Sequence, residues 1–242
     1  MTDVSERSED DRAGPHRNLI PKDAATLILL DQTGATPKVL MGKRHHGHVF
    51  MPSRFVFPGG RVDPDDRRMT VGAPLDPRAE ERLMRRVRRP SVAKARALAL
   101  AAIRETYEET GLFLGRKSSD AQGAAGPLWS AFAEAQVQPD LSKMHFIARA
   151  ITPPGNIRRF DTRFFTAEVS AVAHRIDGMV GPDAELVELI WVPLTETGSL
   201  NLLAITARVL QDLQNQIEAG FSHDLPVPFY RSLHGRRVRE LL

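Results

Sequence analysis

Apolar positions fall along the chain in two kinds of pattern. Short, nearly continuous apolar runs occupy residues 24–30 (AATLILL) and 38–43 (KVLMGK). The intervening DQTGATP holds the Gly, Asp and Pro of a turn, so the pair is predicted as two strands in a hairpin. Residues 55–57 predict a third short strand, and 144–152, 162–172 and 186–192 predict three more, separated by Pro, Gly and Asp. A different pattern begins at Ser91 and runs through RALALAAIRETYEET to Thr110, with Ser91 placed as N-cap and Gly111 as C-terminal stop. Residues 128–136 predict a short helix, and 199–219 a closing one whose Leu202, Leu203, Ile205, Val209, Leu210, Leu213 and Ile217 keep mostly helical spacing. Internal repeats are absent.

Composition narrows the class without choosing a function. The 242 residues are 42% hydrophobic and 26% charged, as in an ordinary globular protein. Residues 1–20 are polar and acidic and are expected to form a loose tail; 21–242 are expected to form a single domain. The apolar runs are too short to span a bilayer, and no membrane association is expected. Cysteine is absent, so any metal would be held by oxygen or histidine nitrogen, and a cytoplasmic setting is expected. Of the 33 basic residues, 27 are arginine. Arg82, Arg85, Arg86, Arg88 and Arg89 crowd one segment, which fits a phosphorylated small molecule, a nucleic acid, a membrane surface or a solvated helix face. His45, His46 and His48 lack the partner spacing of a zinc site and are read as a loop. Trp191 is read as core, and the basic segment 231–242 as a surface tail or helix.

Candidate chemistry concentrates in RETYEETGL, residues 104–112. At about 100° per residue, Glu105, Glu108 and Glu109 share one helix face within a turn. Like charges three and four apart cost roughly 0.2–0.5 kcal/mol per pair, a cost that a bound divalent cation reverses. Hard carboxylate oxygens suit Mg²⁺ or Mn²⁺. Arg104, one turn before Glu108, can brace it. Ala99, Ala102, Ile103, Thr106 and Thr110 are small or apolar and form the face expected to pack on a sheet. Upstream, FVFPGGRVDPDD (residues 55–66) supplies glycines that let backbone approach a ligand closely.

Together, FPGG followed by RExxEExG resembles the box of the Nudix (MutT-like) hydrolases, written GX5EX7REUXEEXGU with U apolar. Gly60 then matches the first glycine, Arg104 and Glu105 the RE pair, Glu108 and Glu109 the EE pair, Gly111 the second glycine and Leu112 the last apolar position. Asp66 stands in place of the first glutamate, Thr106 stands at an apolar position, and 43 residues rather than thirteen separate Gly60 from Arg104. The resemblance thus includes an insertion of about thirty residues, near 67–96. The wording of residues 50–66 is similar to the coenzyme A and acyl-coenzyme A diphosphatase branch.

The resemblance implies an α/β/α sandwich with a mixed sheet, an inserted helical segment and a C-terminal helix. It implies hydrolysis of a nucleoside diphosphate-linked substrate, with coenzyme A or acyl-coenzyme A first and ADP-ribose or NADH as alternatives. A noncatalytic nucleotide- or RNA-binding relative is the other class, although the intact carboxylate trio disfavours it and nucleic acid is not the expected partner. Glu105, Glu108, Glu109 and the Gly59 carbonyl are the implied ligands of Mg²⁺ or Mn²⁺, with Arg104 orienting them. Glu185 and Glu188 are candidates for the general base. Arg44, Arg61, Arg158, Arg159 and Arg163 are candidates for binding a small-molecule nucleotide, and a homodimer stays open.

Overall fold

The structure, a computed structural model, describes residues 19–45, 47, 53–119 and 126–242. Residues 1–18 of the expected tail (1–20), His46, His48 and residues 50–52 of the resemblance therefore lie outside the described residues. The strands are β1 (Lys22–Asp31), β2 (Lys38–Arg44), β3 (Phe55–Val56), β4 (Gly59–Arg61), β5 (Leu112–Leu114), β6 (Arg116–Lys117), β7 (Val137–Gln138), β8 (His145–Ile151), β9 (Phe160–Glu168), β10 (Val172–Arg175), β11 (Leu186–Pro193), β12 (Pro228–Leu233) and β13 (Arg236–Leu241). The helices are α1 (Pro77–Met84), α2 (Val92–Thr110), α3 (Ser130–Glu134) and α4 (Ala204–Glu218).

A mixed sheet runs β11-β2-β1-β9-β8-β12-β13, with β3 beside β2 and β4 beside β1. Strands β1 and β9 are parallel, as are β8 and β12. The unbroken apolar character of β1 follows from its central place. Ala25, Leu27 and Leu29 join the core under α2, whereas Ile28 and Leu30 join the opposite one with Val209, Leu210 and Leu213 of α4. A strand covered on both faces needs apolar residues at every position. The result is the expected α/β/α sandwich.

Helix α2 is where the sequence and structure agree most closely. The Ser91 hydroxyl accepts from the Lys94 amide at 3.2 Å, and Gly111 donates its amide to the Tyr107 carbonyl at 2.7 Å with φ of 75°. A side chain at Gly111 would sit 2.0 Å from the Ile176 carbonyl oxygen, so only glycine fits this stop. Ala99, Ala102, Ile103, Thr106 and Thr110 are buried as expected. Thr106 is tolerated there because its hydroxyl donates to the Ala102 carbonyl at 2.7 Å.

Three expectations change. Trp191 is 40% exposed on β11, an end strand of the sheet, rather than in the core. The basic segment 231–242 is neither tail nor helix: β12 and β13 form a hairpin whose His234 and Gly235 both take positive φ, 49° and 78°. Positive φ at two consecutive residues is the geometry of a tight hairpin turn, and the His-Gly pair is its signal. The long run 162–172 breaks after Glu168, and its continuation β10 leaves the sheet to pair with β5. Among the described residues, no helix is long and apolar enough to cross a membrane.

The arginine-rich segment is held down at both ends. Asp76 caps α1 by accepting from the Arg78 amide at 2.8 Å, and Ala79 and Leu83 enter the core beneath α2. Arg82 donates to the His223 and Asp224 carbonyls, and Arg78 pairs with Asp224 at 2.7 Å. Beside this anchor His145 stacks on His223 (3.9 Å) and on Phe221 (4.2 Å). Burial, then the neighbouring His223, pushes the His145 pKa down to about 4, against a weaker pull from Asp76. Because the folded pKa lies below the unfolded value near 6.5, this stability is present above pH 6.5 and is lost as pH falls toward 4. The melting temperature is therefore expected to fall across that window, and less so in His145→Phe, which keeps the stack without the proton. Equal slopes for parent and variant in a pH series of thermal melts would refute this.

Candidate active site

The site is built where strand β4 crosses the C-terminal half of α2. Arg104 is its centre, 4% exposed and using its whole guanidinium. Its Nε donates to Asp66 Oδ1 at 2.9 Å, and its Nη2 to Asp66 Oδ2 at 3.2 Å and the Arg61 carbonyl at 2.9 Å. Nη1 donates to Glu105 Oε1 and Glu108 Oε2, both at 2.8 Å. The five N–H groups of the fork thus meet five oxygens. Asp66 is wholly buried and also accepts from the Asp63 amide at 2.8 Å, closing the short turn that follows β4. Burial opposes the Arg104 charge, but Asp66, Glu105 and Glu108 together overcome it and raise its pKa.

The third carboxylate faces the other way. Glu109 is 5% exposed; its Oε1 accepts from the Gly59 amide at 3.2 Å, and its Oε2 is buried with no partner. The glycine turn faces the carboxylate helix. Burial pushes the Glu109 pKa up to about 8, with added repulsion from Glu185 and opposition from the Gly59 amide and Arg44. Burial likewise drives Glu105 up to about 7 and raises Glu108, with Arg104 pulling both down. Three carboxyls of one helical turn are therefore held in places that resist their ionisation.

Gly60 makes this closeness possible. A Cβ there would lie 2.4 Å from the Glu105 carboxyl carbon. Gly60→Ala is expected to displace Glu105 and sharply lower turnover, while the buried core keeps the protein folded. Circular dichroism beside steady-state kinetics checks this, and full activity in a folded Gly60→Ala protein would count against it.

Glu105, Glu108 and Arg104 line a cavity of about 670 Å³ together with Lys22, Asp23 and Lys94. Arg61 stands on its rim, exposed. Arg44 and Glu185 are brought together at 2.9 Å beside Glu109, so Glu185 belongs to this neighbourhood. Glu188 is exposed on β11, paired in register with Lys43. Three of the candidate arginines do not line this cavity. Arg158 is exposed before β9, Arg159 donates to the Thr152 and Leu19 carbonyls, and Arg163 is wholly buried against Asp23 and Asp161. Arg163 lies on β9, inside the sheet, which removes it from direct contact with a solute. Lys94 and Asp23 went unrecognised in the sequence because a single lysine early in a helix and a single aspartate in a strand carry no spacing signal.

The sequence matches no protein-family model and no curated protein. Among solved structures, a Nudix hydrolase from Alicyclobacillus acidocaldarius overlaps with a TM-score of 0.60 at 28% identity, over 80% of this chain and 91% of that one. The fold is that of the Nudix hydrolases. A Nudix hydrolase from M. smegmatis, RenU, is 16% identical with a TM-score of 0.44, covering 83% of this chain and 90% of that chain. The Nudix domain of Shewanella oneidensis NrtR, complexed with ADP-ribose, is 14% identical with a TM-score of 0.47, covering 85% and 94%. The first likeness, with the intact RExxEExG helix, supports a Nudix pyrophosphohydrolase.

The three carboxylates are not arranged as a ready metal cluster. No group of three or more acidic or histidine side chains among the described residues is so gathered. The reason lies in their partners: Glu105 and Glu108 lean on Arg104, while Glu109 leans on Gly59. Their chemistry nevertheless fits a hard divalent cation. Glu109 Oε2 is a buried oxygen lacking any partner, and the resistance of all three carboxyls to ionising is what a cation removes.

Proposed function

We propose that the protein is a divalent-metal-dependent diphosphatase that cleaves coenzyme A or an acyl-coenzyme A to 3',5'-ADP and the (acyl-)phosphopantetheine. The observation that carries the hydrolytic part is the placement of three carboxyls from one turn of α2 against the β4 glycines, on and beside the wall of an open cavity. The coenzyme A part is supported by the wording of residues 50–66, whose 55–66 portion supplies β3, β4 and the turn holding Asp66.

Glu105, Glu108, Glu109 and the Gly59 carbonyl would hold Mg²⁺ or Mn²⁺. When bound, such an ion neutralises phosphate oxygens and lowers the pKa of a water molecule. Arg104 keeps Glu105 and Glu108 turned toward the cavity, and Asp66 keeps Arg104 in place. Lys94 and Arg61, on the cavity wall, meet the diphosphate oxygens. Glu185, half-exposed and oriented by Arg44, accepts the proton of the attacking water. The water oxygen bonds to one phosphorus, the bridging P–O bond breaks, and the leaving phosphate takes the electron pair. We propose a cytoplasmic location with this reading.

A substrate panel of coenzyme A, ADP-ribose and NADH with Mg²⁺ or Mn²⁺, read by product masses, tests the assignment. Release of 3',5'-ADP and phosphopantetheine is expected. AMP from ADP-ribose with coenzyme A left intact would overturn the substrate, and no hydrolysis of any of the three would overturn the activity.

A further inference from the structure

A second cavity, about 540 Å³, opens next to the carboxylate cavity and shares Asp23 and Lys94 with it. Among the described residues its lining sets Arg86, Arg88, Arg89, Lys94 and Arg149 against two carboxylates, Asp23 and Asp161. Both carboxylates are already engaged from below. Asp161 accepts from Arg149 Nε at 2.8 Å and Nη2 at 2.6 Å, and from Arg163; Asp23 pairs with Arg163 at 2.7 Å and Lys94 at 3.0 Å. Arg163 is wholly buried and pairs with both, so Asp23 and Asp161 are shared among three cations, Arg149, Arg163 and Lys94.

The arginine turn itself is fixed rather than loose. Arg149 Nη1 donates to the Arg85 carbonyl at 3.1 Å and the Arg86 carbonyl at 3.4 Å, while its guanidinium lies 4.3 Å from the Phe229 ring centroid. Arg86 and Arg89 take positive φ, 56° and 54°, which side chains other than glycine rarely adopt. Arg82 and Arg85 are spent on protein partners. Arg88 and Arg89 are exposed and form no hydrogen bond or ion pair among the described residues. A solvated helix face would need neither the anchoring nor the unusual backbone. The segment is a turn, with its unpaired arginines gathered over one cavity.

We infer that this turn is an anion subsite that binds a phosphomonoester carried by the substrate away from the diphosphate that is cut. The inference rests on the diphosphatase reading, since the subsite adjoins that site through Lys94 and Asp23. Arginine forks match the oxygens of a phosphomonoester, whose charge of nearly −2 exceeds that of a diester.

The test compares ligands that differ only in that group. In steady-state kinetics the parent is expected to show a KM about tenfold or more lower for coenzyme A than for 3'-dephospho-coenzyme A, the size of one or two charge-assisted hydrogen bonds. Arg88→Gln with Arg89→Asn, asparagine being at ease with positive φ, is expected to erase the difference by raising only the coenzyme A value, with kcat unchanged. Calorimetry with adenosine 3',5'-bisphosphate against AMP reads the subsite without turnover and should show the same preference and the same loss. Equal binding of the two nucleotides to the parent, or equal losses for both in the variant, would overturn the subsite even if hydrolysis proceeds. Preference for the bisphosphate without any hydrolysis would keep the subsite and sink the diphosphatase reading instead. Salt-sensitive binding of an RNA oligonucleotide, abolished in the variant and without a phosphomonoester preference, would reassign the turn to nucleic acid.

Discussion

Replacing Glu109 with glutamine is expected to lower kcat on the order of a hundred- to a thousand-fold, because it weakens the hold on the cation that would stabilise transition-state charge. The same change is expected to leave the metal-free protein as stable as the parent or more so. Glutamine has the shape of the buried carboxyl, and its oxygen can accept from the Gly59 amide as Glu109 Oε1 does at 3.2 Å. It carries no charge where burial already pushes the carboxyl pKa up to about 8. Added Mn²⁺ is expected to raise the melting temperature of the parent and much less that of the variant, because a ligand stabilises only the form it binds. Thermal melts with and without Mn²⁺, run beside kinetics, decide the matter. A fully active variant, or one with the parent's full response to Mn²⁺, would remove Glu109 from the site.

Arg104→Ala is expected to be the most damaging single change to stability, at about 3–5 kcal/mol, the range for removing one partner of a buried ion pair. Asp66, wholly buried, would lose both of its guanidinium bonds and keep only the Asp63 amide. The Arg61 carbonyl would lose its donor, and Glu105 and Glu108 their common partner. At about 2–4 °C per kcal/mol for a chain of this size, the melting temperature should drop by roughly 6–20 °C. Arg104→Lys keeps the charge but cannot meet five oxygens with one ammonium, so it should fall between. The double change Arg104→Ala with Asp66→Ala is expected to recover part of the loss, since the stranded buried charge is gone. Denaturant titration measures each. A loss below 1 kcal/mol for Arg104→Ala would show that the network does not hold the site together.

What the sequence determined by itself is local. Helix α2, its Ser91 cap, its Gly111 stop and the shared face of Glu105, Glu108 and Glu109 follow from a 3.6-residue period and from residues whose backbone preferences are strong. The two-face burial of β1 was readable from its unbroken apolar run, and helix α4 from its spacing, although it starts at Ala204 and is followed by the β12–β13 hairpin rather than closing the fold. The His234–Gly235 turn carried a signal that went unread because arginine dominates its surroundings. What only the tertiary structure decided depends on contacts distant in sequence. Asp66 reaches Arg104 across 38 residues, Arg163 finds Asp23 across 140, and Glu185, not Glu188, comes beside Glu109. The arginine run shows the limit most plainly: from sequence both a helix face and a binding surface stayed open, and only the packing of Arg149 beneath Arg85 and Arg86 made it a turn over a cavity. Helical period and capping are encoded within a few residues. Which charges end up buried together is set by how sheet and helices stack, and no local window contains that.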